Sequence, residues 1–444
     1  MKHVVLIAAL SIPVGCGGPT PLVGHLDLAE VGTRTEGQFF DSNLGITVAA
    51  PGDLDGDGRA ELVLGIWHER VVDSPSVMAI SWPPPSVAEV GSGLTEVRGI
   101  GAGRIQRVGD LDGDGTDELL LGTRLFYGPP PAAIDRSLPG AWIVEVRSGT
   151  VTTGFEAGDQ DGDGLDDLWL AAPWDRSSGD PWGWNSRQAG AVYLLSGPIP
   201  DGADLARADA AVVGDGSSDQ LGSVAFSADT DADGELELVA ADSYRRIRIL
   251  DGPWQGERHV DDAGVTLEPD PEGCSPVVVP GRGDLVGGPG HDLVATHWPN
   301  PTCGDLVSIV EADGGAGAWT LHGGDEPPRA QPVVALPGDL DGDGFDDLVV
   351  GDPNHDGPDD AWAYGRGQVR IFYGPLQDET TWDDADAVLD GELIGDGAGR
   401  TLTAIGDMDG DGLPDVAVGA PAAIRNPDGD ARGTVYVLRG ARRP

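Results

Sequence analysis

Short apolar runs recur along the chain, each bounded by Gly or Pro and each close to an acidic stretch. Leu62-Val63-Leu64-Gly65, Leu293-Val294-Ala295 and Leu348-Val349-Val350-Gly351 are typical. They are too short for helices and rich in branched side chains, so they predict buried strands. After the N-terminal segment no run is long and apolar enough to span a bilayer as a helix. The pattern predicts an all-β chain of short strands joined by polar turns.

One turn type stands out. Its first copy reads Gly52-Asp53-Leu54-Asp55-Gly56-Asp57-Gly58-Arg59-Ala60-Glu61, followed by Leu62-Val63-Leu64-Gly65. Carboxylates occupy loop positions one, three, five and nine, and glycine occupies position six. Alternate side chains of such a loop converge on one point, where oxygen ligands suit a hard cation, and the glycine permits the sharp turn. Without a cation, four carboxylates this close would repel one another. The same spacing returns at Asp110/Asp112/Asp114/Glu118, Asp159/Asp161/Asp163/Asp167 and Asp229/Asp231/Asp233/Glu237. It returns again at Asp339/Asp341/Asp343/Asp347 and Asp407/Asp409/Asp411/Asp415. Position seven would add a backbone carbonyl, from Arg59, Thr116, Leu165, Glu235, Phe345 and Leu413 in turn. Magnesium prefers fewer protein ligands, so the expected cofactor is Ca²⁺, about six ions per chain.

An EF-hand would place a glutamate at position twelve and helices on both sides. Here position twelve is Leu64, Leu121, Leu170, Ala240, Val350 or Val418, so each unit reads strand, metal loop, strand. A damaged copy, Asp284 to Asp292, keeps carboxylates only at positions one and nine. With it, first positions are spaced by 57, 49, 70, 55, 55 and 68 residues. Seven units of that size, with four short strands each, predict a β-propeller or a related array.

The units resemble FG-GAP repeats, as in the seven-bladed propeller of integrin α-subunits and its bacterial relatives. The resembling pieces are Leu221-Gly222-Ser223-Val224-Ala225, Val418-Gly419-Ala420-Pro421 and the closing strand Gly190-Ala191-Val192-Tyr193-Leu194-Leu195. The resemblance runs from about residue 25 to 440. It implies calcium in the loop joining the two inner strands of each blade, on the bottom face, with ligand recognition on the top face. A seven-bladed propeller over 26–440 is therefore expected. The chain ends shortly after Gly433 to Leu438, the third strand of the seventh unit. The N-terminal segment is expected to supply that blade's outer strand.

Residues 1–16 read as a signal peptide: Lys2, an apolar run from Val4 to Val14, and Cys16 at the cleavage point of a lipoprotein. Plain secretion with Cys16 removed is the alternative. Residues 17–25 read as a tether. A secreted or lipid-anchored envelope protein follows. The formal charge of -48 argues against nucleic acid and anionic lipid surfaces as electrostatic partners, leaving the membrane to a lipid anchor. Cys274 and Cys303 flank the damaged loop almost symmetrically, and a disulfide between them would staple that hairpin in an oxidising compartment. Two unpaired thiols are the alternative. Arg282-Gly283-Asp284 spells an integrin-recognised tripeptide but falls on a remnant metal position, so it reads as coincidence.

Nothing in the sequence assembles a nucleophile with a base, and the paired carboxylates sit at metal-ligand spacing. His68, His297 and His355 follow second strands and are expected as solvated loop residues. Trp174, Trp182, Trp184 and Trp362 lie in the same top connections, beside Trp67 and Trp298 at Pro positions of the repeat. Exposed rings there would stack on a glycan or anchor a protein. Packing between blades is the equal alternative. The expected function is a non-enzymatic binding or adhesion module for a protein or glycan, and the domain is expected to be monomeric. A structural scaffold, or a glycan- or lipid-processing enzyme, are the other readings.

Overall fold

The computed structural model describes residues 8–10, 22–36, 44–54, 56, 58–65, 75–80, 94–98, 107–128, 133–134, 141–144, 151–175, 189–214, 220–242, 246–267, 277–279, 281–288, 290–297, 305–311, 318–322, 331–355, 365–377, 380–422 and 433–443. Their strands fall into seven antiparallel sheets, numbered here in chain order. The third is typical: Thr153–Gly158, Asp167–Ala172, Ala191–Leu195 and Ala210–Val213 pair in sequence order. Its second strand is buried at every position, as an apolar run with neighbours on both faces must be. Sheets one, four, five and six repeat this order, starting from Thr47–Ala49, Val224–Ala228, Val277–Val279 and Val333–Gly338. The described part of sheet two has Leu119–Leu121, Arg124–Phe126 and Ala141–Val144.

Sheet seven is assembled from both ends of the chain. Thr401–Gly406, Asp415–Ala420 and Thr434–Leu438 are followed at the edge by Thr33–Glu36, which pairs antiparallel from Thr33 opposite Val437 to Glu36 opposite Thr434. The expected N-terminal closing strand is thus Thr33–Glu36. Ala8–Leu10, inside the expected signal segment, pairs in turn with Thr33–Glu36.

Apolar clusters bridge neighbouring sheets. Phe155, Trp169, Val192 and Val212 of sheet three pack with Ala225, Leu238 and Leu250 of sheet four. Leu44, Val48, Leu62 and Leu64 of the first unit pack with Ile405, Ala417, Val435 and Val437 of the seventh, joining last to first. The architecture is a β-propeller.

Between third and outer strands the chain makes a detour that the apolar pattern does not foretell. Gly256–His259 leaves sheet four and pairs in parallel with Ala210–Val213 at the edge of sheet three. Ala203–Asp204 does the same to sheet two, and Ala133–Ile134 to sheet one. Gly24–Asp27 does it to sheet six, pairing with Ala387–Asp390. A short helical turn follows three of these strands and drives one apolar side chain into the seam: Leu28, Leu205 or Val260; Trp382 does so in the corresponding turn of sheet six. Packing contacts therefore include Leu22, inside the stretch expected to be tether. Leu22 is buried, and its carbonyl accepts from the Tyr373 hydroxyl at 2.9 Å.

Candidate metal centres

Where both strands are described, each acidic loop joins the first and second strands of a sheet, and position nine lies at the start of the second strand. The backbone pins the loop's shape. The position-one carboxylate accepts from the amides of positions four and six: Gly162 and Gly164 donate to Asp159 at 2.7 and 2.9 Å, and Gly342 and Gly344 to Asp339 at 2.6 and 2.8 Å. The position-three carboxylate accepts from position five, as Asp163 to Asp161 at 3.1 Å. The position-five carboxylate accepts from position seven, as Leu165 to Asp163 at 2.9 Å. The position-nine carboxylate accepts from position two, as Leu111 to Glu118 at 2.5 Å and Leu340 to Asp347 at 2.7 Å. In three sheets it also accepts from a glycine after the third strand: Gly197 to Asp167, Gly374 to Asp347 and Gly440 to Asp415, at 3.0, 2.8 and 3.0 Å.

These bonds bring oxygens together. Asp110, Asp112, Asp114 and Glu118 each offer one oxygen within a 4.8 Å cluster. So do Asp159, Asp161 and Asp167; Asp229, Asp231 and Glu237; Asp339, Asp341 and Asp347; and Asp407, Asp409 and Asp415. Position five joins the cluster only at Asp114; Asp163, Asp233, Asp343 and Asp411 stand outside it. In the first loop Asp55 and Asp57 lie outside the described residues, while Asp53 shows the same bonds from Gly56 and Gly58, both 2.7 Å, and Glu61 accepts from Leu54 at 2.6 Å. Arg59, Thr116, Leu165, Glu235, Phe345 and Leu413 stand at position seven of their loops.

The clusters fit a cation. Glu118 Oε1 and Asp229 Oδ1 are buried with no hydrogen-bond partner, a costly arrangement unless an ion satisfies them. Burial pushes the Glu118 carboxyl up to about 8, despite the Leu111 amide, with Asp112, Asp110 and Asp114 adding repulsion. Burial likewise lifts Asp347 and Asp415 to about 7 and Asp167 to about 6. All side-chain donors are carboxylate oxygens, the preference of hard divalent ions. Residues at one, three and nine would hold the ion, with position five joining in the second loop. The ion would supply charge that locks loop to strand.

Arginines meet some of these ligand carboxylates. Arg443 ion-pairs Asp341, reaches Asp343 Oδ2 at 3.1 Å and lies over the Tyr373 ring at 4.5 Å. Arg439 meets Asp409 at 3.2 Å.

The damaged copy lacks the carboxylates of positions three and five but keeps loop hydrogen bonds to those of one and nine: Gly287 donates to Asp284 at 2.6 Å and Leu285 to Asp292 at 2.7 Å. Arg282 of the tripeptide bonds the Ser227 carbonyl at 3.1 Å and Glu156 at 3.2 Å, which builds it into neighbouring sheets.

Sequence reasoning missed position eight. Asp117 lies beside Glu118 in the second loop, yet its carboxylate accepts from the Asp53 amide of the first loop at 2.7 Å. Asp166 treats Asp110 alike at 2.9 Å, and Asp346 treats Asp284 alike at 2.8 Å. The acidic doublets Asp117-Glu118, Asp166-Asp167 and Asp346-Asp347 were the available signal.

On the far side of the strands from the loops, Trp174 follows Asp167–Ala172 and is 43% exposed. Trp67, Trp182, Trp184, Trp298 and Trp362, and Cys16, Cys274, Cys303 and His68, lie outside the described residues. Other tryptophans do pack between sheets: Trp169 meets Trp254 edge-on at 4.7 Å. His297 is buried against Ser308 at 2.7 Å rather than solvated, because the second strand carries it into the sheet seam. His355 is half-buried beside Gln368. Among the described residues no helix is long and apolar enough to cross a membrane.

Strands, loops and ring together define the class: a β-propeller whose sheets carry acidic loops between their inner strands. The FG-GAP repeat family model matches residues 398–438. Integrin alpha-PS2 of Drosophila melanogaster is 39% identical over 211 residues, 47% of this chain and 12% of its own length. Integrin alpha-IIb of Homo sapiens is 37% identical over 110 residues, 24% of this chain and 10% of its own. Phosphatidylinositol-glycan-specific phospholipase D of Rattus norvegicus is 36% identical over 113 residues, 24% of this chain and 13% of its own. The matched stretches thus span about an eighth or less of these relatives. Among solved structures, the crystal structure of BBS1N in complex with ARL6DN, soaked with mercury, is similar in fold, with a TM-score of 0.51 at 11% identity over 92% of this chain and 97% of that chain. Residues 398–438 thus match the FG-GAP repeat, and up to 47% of the chain is similar to integrin α-subunits.

Proposed function

We propose that the chain is a seven-bladed, Ca²⁺-stabilised propeller acting outside the cytoplasm as a non-enzymatic binding or adhesion module. The partner is a protein or a glycan, bound on the face opposite the metal loops. The carrying observation is the loop construction. Oxygen-only carboxylate clusters recur at one end of the inner strands, pinned by the same backbone bonds, and their buried oxygens call for charge rather than for substrate. That end is built on one pattern, with recurring backbone bonds to the carboxylates of positions one and nine. The opposite end varies, and it carries Trp174 in the open; variable connections on a rigid scaffold are where binding sites arise.

The integrin relatives favour adhesion. The phospholipase D name gives the one specific argument for the enzyme reading, and hydrolysis of a phosphatidylinositol-glycan by the purified chain would establish it. A glycan array together with pull-down from envelope extracts tests binding. Trp182→Ala with Trp184→Ala, or Trp174→Ala with Trp362→Ala, is expected to lower binding at least tenfold while Asp341→Ala spares it. If Asp341→Ala abolishes binding with the fold intact and the tryptophan variants do not, recognition is on the metal face. The Cys16 lipid anchor and the Cys274–Cys303 disulfide belong to the same extracytoplasmic reading. Intact-mass measurement of the mature, non-reduced protein tests both.

A further inference from the structure

Position one of a loop is held twice over. Its carboxylate is fixed by its own loop, as Asp53 is by the Gly56 and Gly58 amides. Its peptide is fixed by the next repeat. Asp117 donates its amide to the Asp53 carbonyl at 2.8 Å and accepts the Asp53 amide at 2.7 Å, so both backbone groups of Asp53 are engaged by one residue 64 positions away. Asp166 does this to Asp110 at 3.2 and 2.9 Å. Asp346 does it to Asp284 at 3.2 and 2.8 Å. In the remaining case His291 stands for the aspartate: its amide donates to the Asp229 carbonyl at 2.7 Å and its Nδ1 accepts the Asp229 amide at 3.0 Å.

The preceding residue is matched to this clamp. Gly52 (φ +119°) and Gly109 (φ +81°) lie against the Asp117 and Asp166 carboxylates, and a Cβ at either would overlap the carboxylate oxygen. Such a close approach is open only to glycine. The other three loops face Leu236, Pro414 or Ala60 at position eight, none of which has a side-chain acceptor. The clamp is therefore selective: it grips the loops at Asp53, Asp110 and Asp229 and the damaged loop at Asp284.

We propose that Asp117, Asp166 and His291 are positioning residues that set the cation affinity of the preceding loop rather than of their own. The inference rests on the reading that the loops bind Ca²⁺. Partners just outside a metal's ligands orient them, and their loss typically weakens binding about 10- to 100-fold. Here that orientation arrives from the neighbouring sheet, so filling one site is linked to the seam beside it.

Calorimetric titration of the full chain with Ca²⁺ after chelation, with melting followed in parallel, is the test. Asp117→Ala, Asp166→Ala and His291→Ala are each expected to move one site to a roughly 10- to 100-fold higher Ca²⁺ concentration. Asp117→Asn keeps a carbonyl acceptor and is expected to retain near wild-type affinity, which separates clamp loss from misfolding. Asp346→Ala grips a loop without the carboxylate set and sits beside the ligand Asp347 just as Asp117 sits beside Glu118, so it should leave every site unchanged. In an Asp53→Ala background, Asp117→Ala should weaken no further site. An unchanged titration for Asp117→Ala, a weakened site in Asp346→Ala, or a second weakened site in the Asp53→Ala background each overturns the proposal while leaving the calcium reading standing. A wild type that takes up no Ca²⁺ overturns both.

Discussion

At the residue scale, two glycines of one loop make opposite demands. Gly58 (φ +88°) has open space where a Cβ would stand, so Gly58→Ala suffers only left-handed backbone strain, about 1–2 kcal/mol. Gly52→Ala adds collision with the Asp117 carboxylate and should cost more, about 3 kcal/mol. Denaturant melts of both variants check the order. Arg443 makes the opposite contribution, placing a guanidinium against Asp341 and Asp343 where an ion would otherwise be their counter-charge. Arg443→Ala should tighten the sixth sheet's site several-fold, read by calorimetry against Asp341→Ala. The convergence of positions one, three and nine was legible because the spacing lies inside one loop; position five was expected with them, yet Asp163, Asp233, Asp343 and Asp411 stand outside the clusters. Asp117, Asp166 and His291 were not legible, since their partners are a whole repeat away, and a reading that treats each loop as self-contained sees only one more surface acid.

At the element scale, the strands announced themselves and the seams did not. Asp167–Ala172 and Asp415–Ala420 are unbroken buried runs that a sequence reader meets directly. Gly256–His259 is mostly exposed, with no apolar period, and its role comes from pairing with another repeat's edge. What was readable, in retrospect, is the Gly-Pro after the third strand: Gly197-Pro198, Gly252-Pro253 and Gly374-Pro375 each begin the detour. The apolar plugs after it should matter energetically. Trp382 is fully buried, lies under the Arg370 guanidinium at 4.6 Å and gives its carbonyl to Arg370. Trp382→Ala should cost about 3–5 kcal/mol, and Leu28→Ala about 2–5 kcal/mol, by loss of contact and the cavity left behind. Chemical denaturation measures both, and a Leu28→Ala variant of wild-type stability would show that the N-terminal seam is dispensable.

At the scale of the whole molecule, cations and protons compete for the same carboxylates. Burial raises Glu118, Asp347 and Asp415 to about 8, 7 and 7 in the folded chain, above the ordinary carboxylate value of about 4. The folded state then binds protons more tightly than the unfolded one, so chelated protein loses stability as pH rises from about 4 to about 8. On the proposed reading, Ca²⁺ held only by the folded loops would raise the melting temperature by mass action; with ion bound the carboxylates would stay ionised and the downward trend would disappear. Melting temperature against pH, with chelator and with Ca²⁺, checks the crossing. A chelated protein that melts higher at pH 8 than at pH 5 contradicts it.

Sheet seven has a consequence for the order of synthesis. Thr33–Glu36 is made long before its partner Thr434–Leu438, with the other sheets encoded between them. The sheets encoded between them can form behind the growing point, but Thr33–Glu36 must wait for its partner, with one edge open, until all of them have been made. A contact this distant in sequence carries a large loop-closure cost and comes late in folding. An edge left open in the interval is a template for pairing with another chain. Moving residues 22–36 to follow residue 443 by circular permutation would make that pairing local. Such a permutant should refold faster and aggregate less than the native chain order, with the same ring at the end.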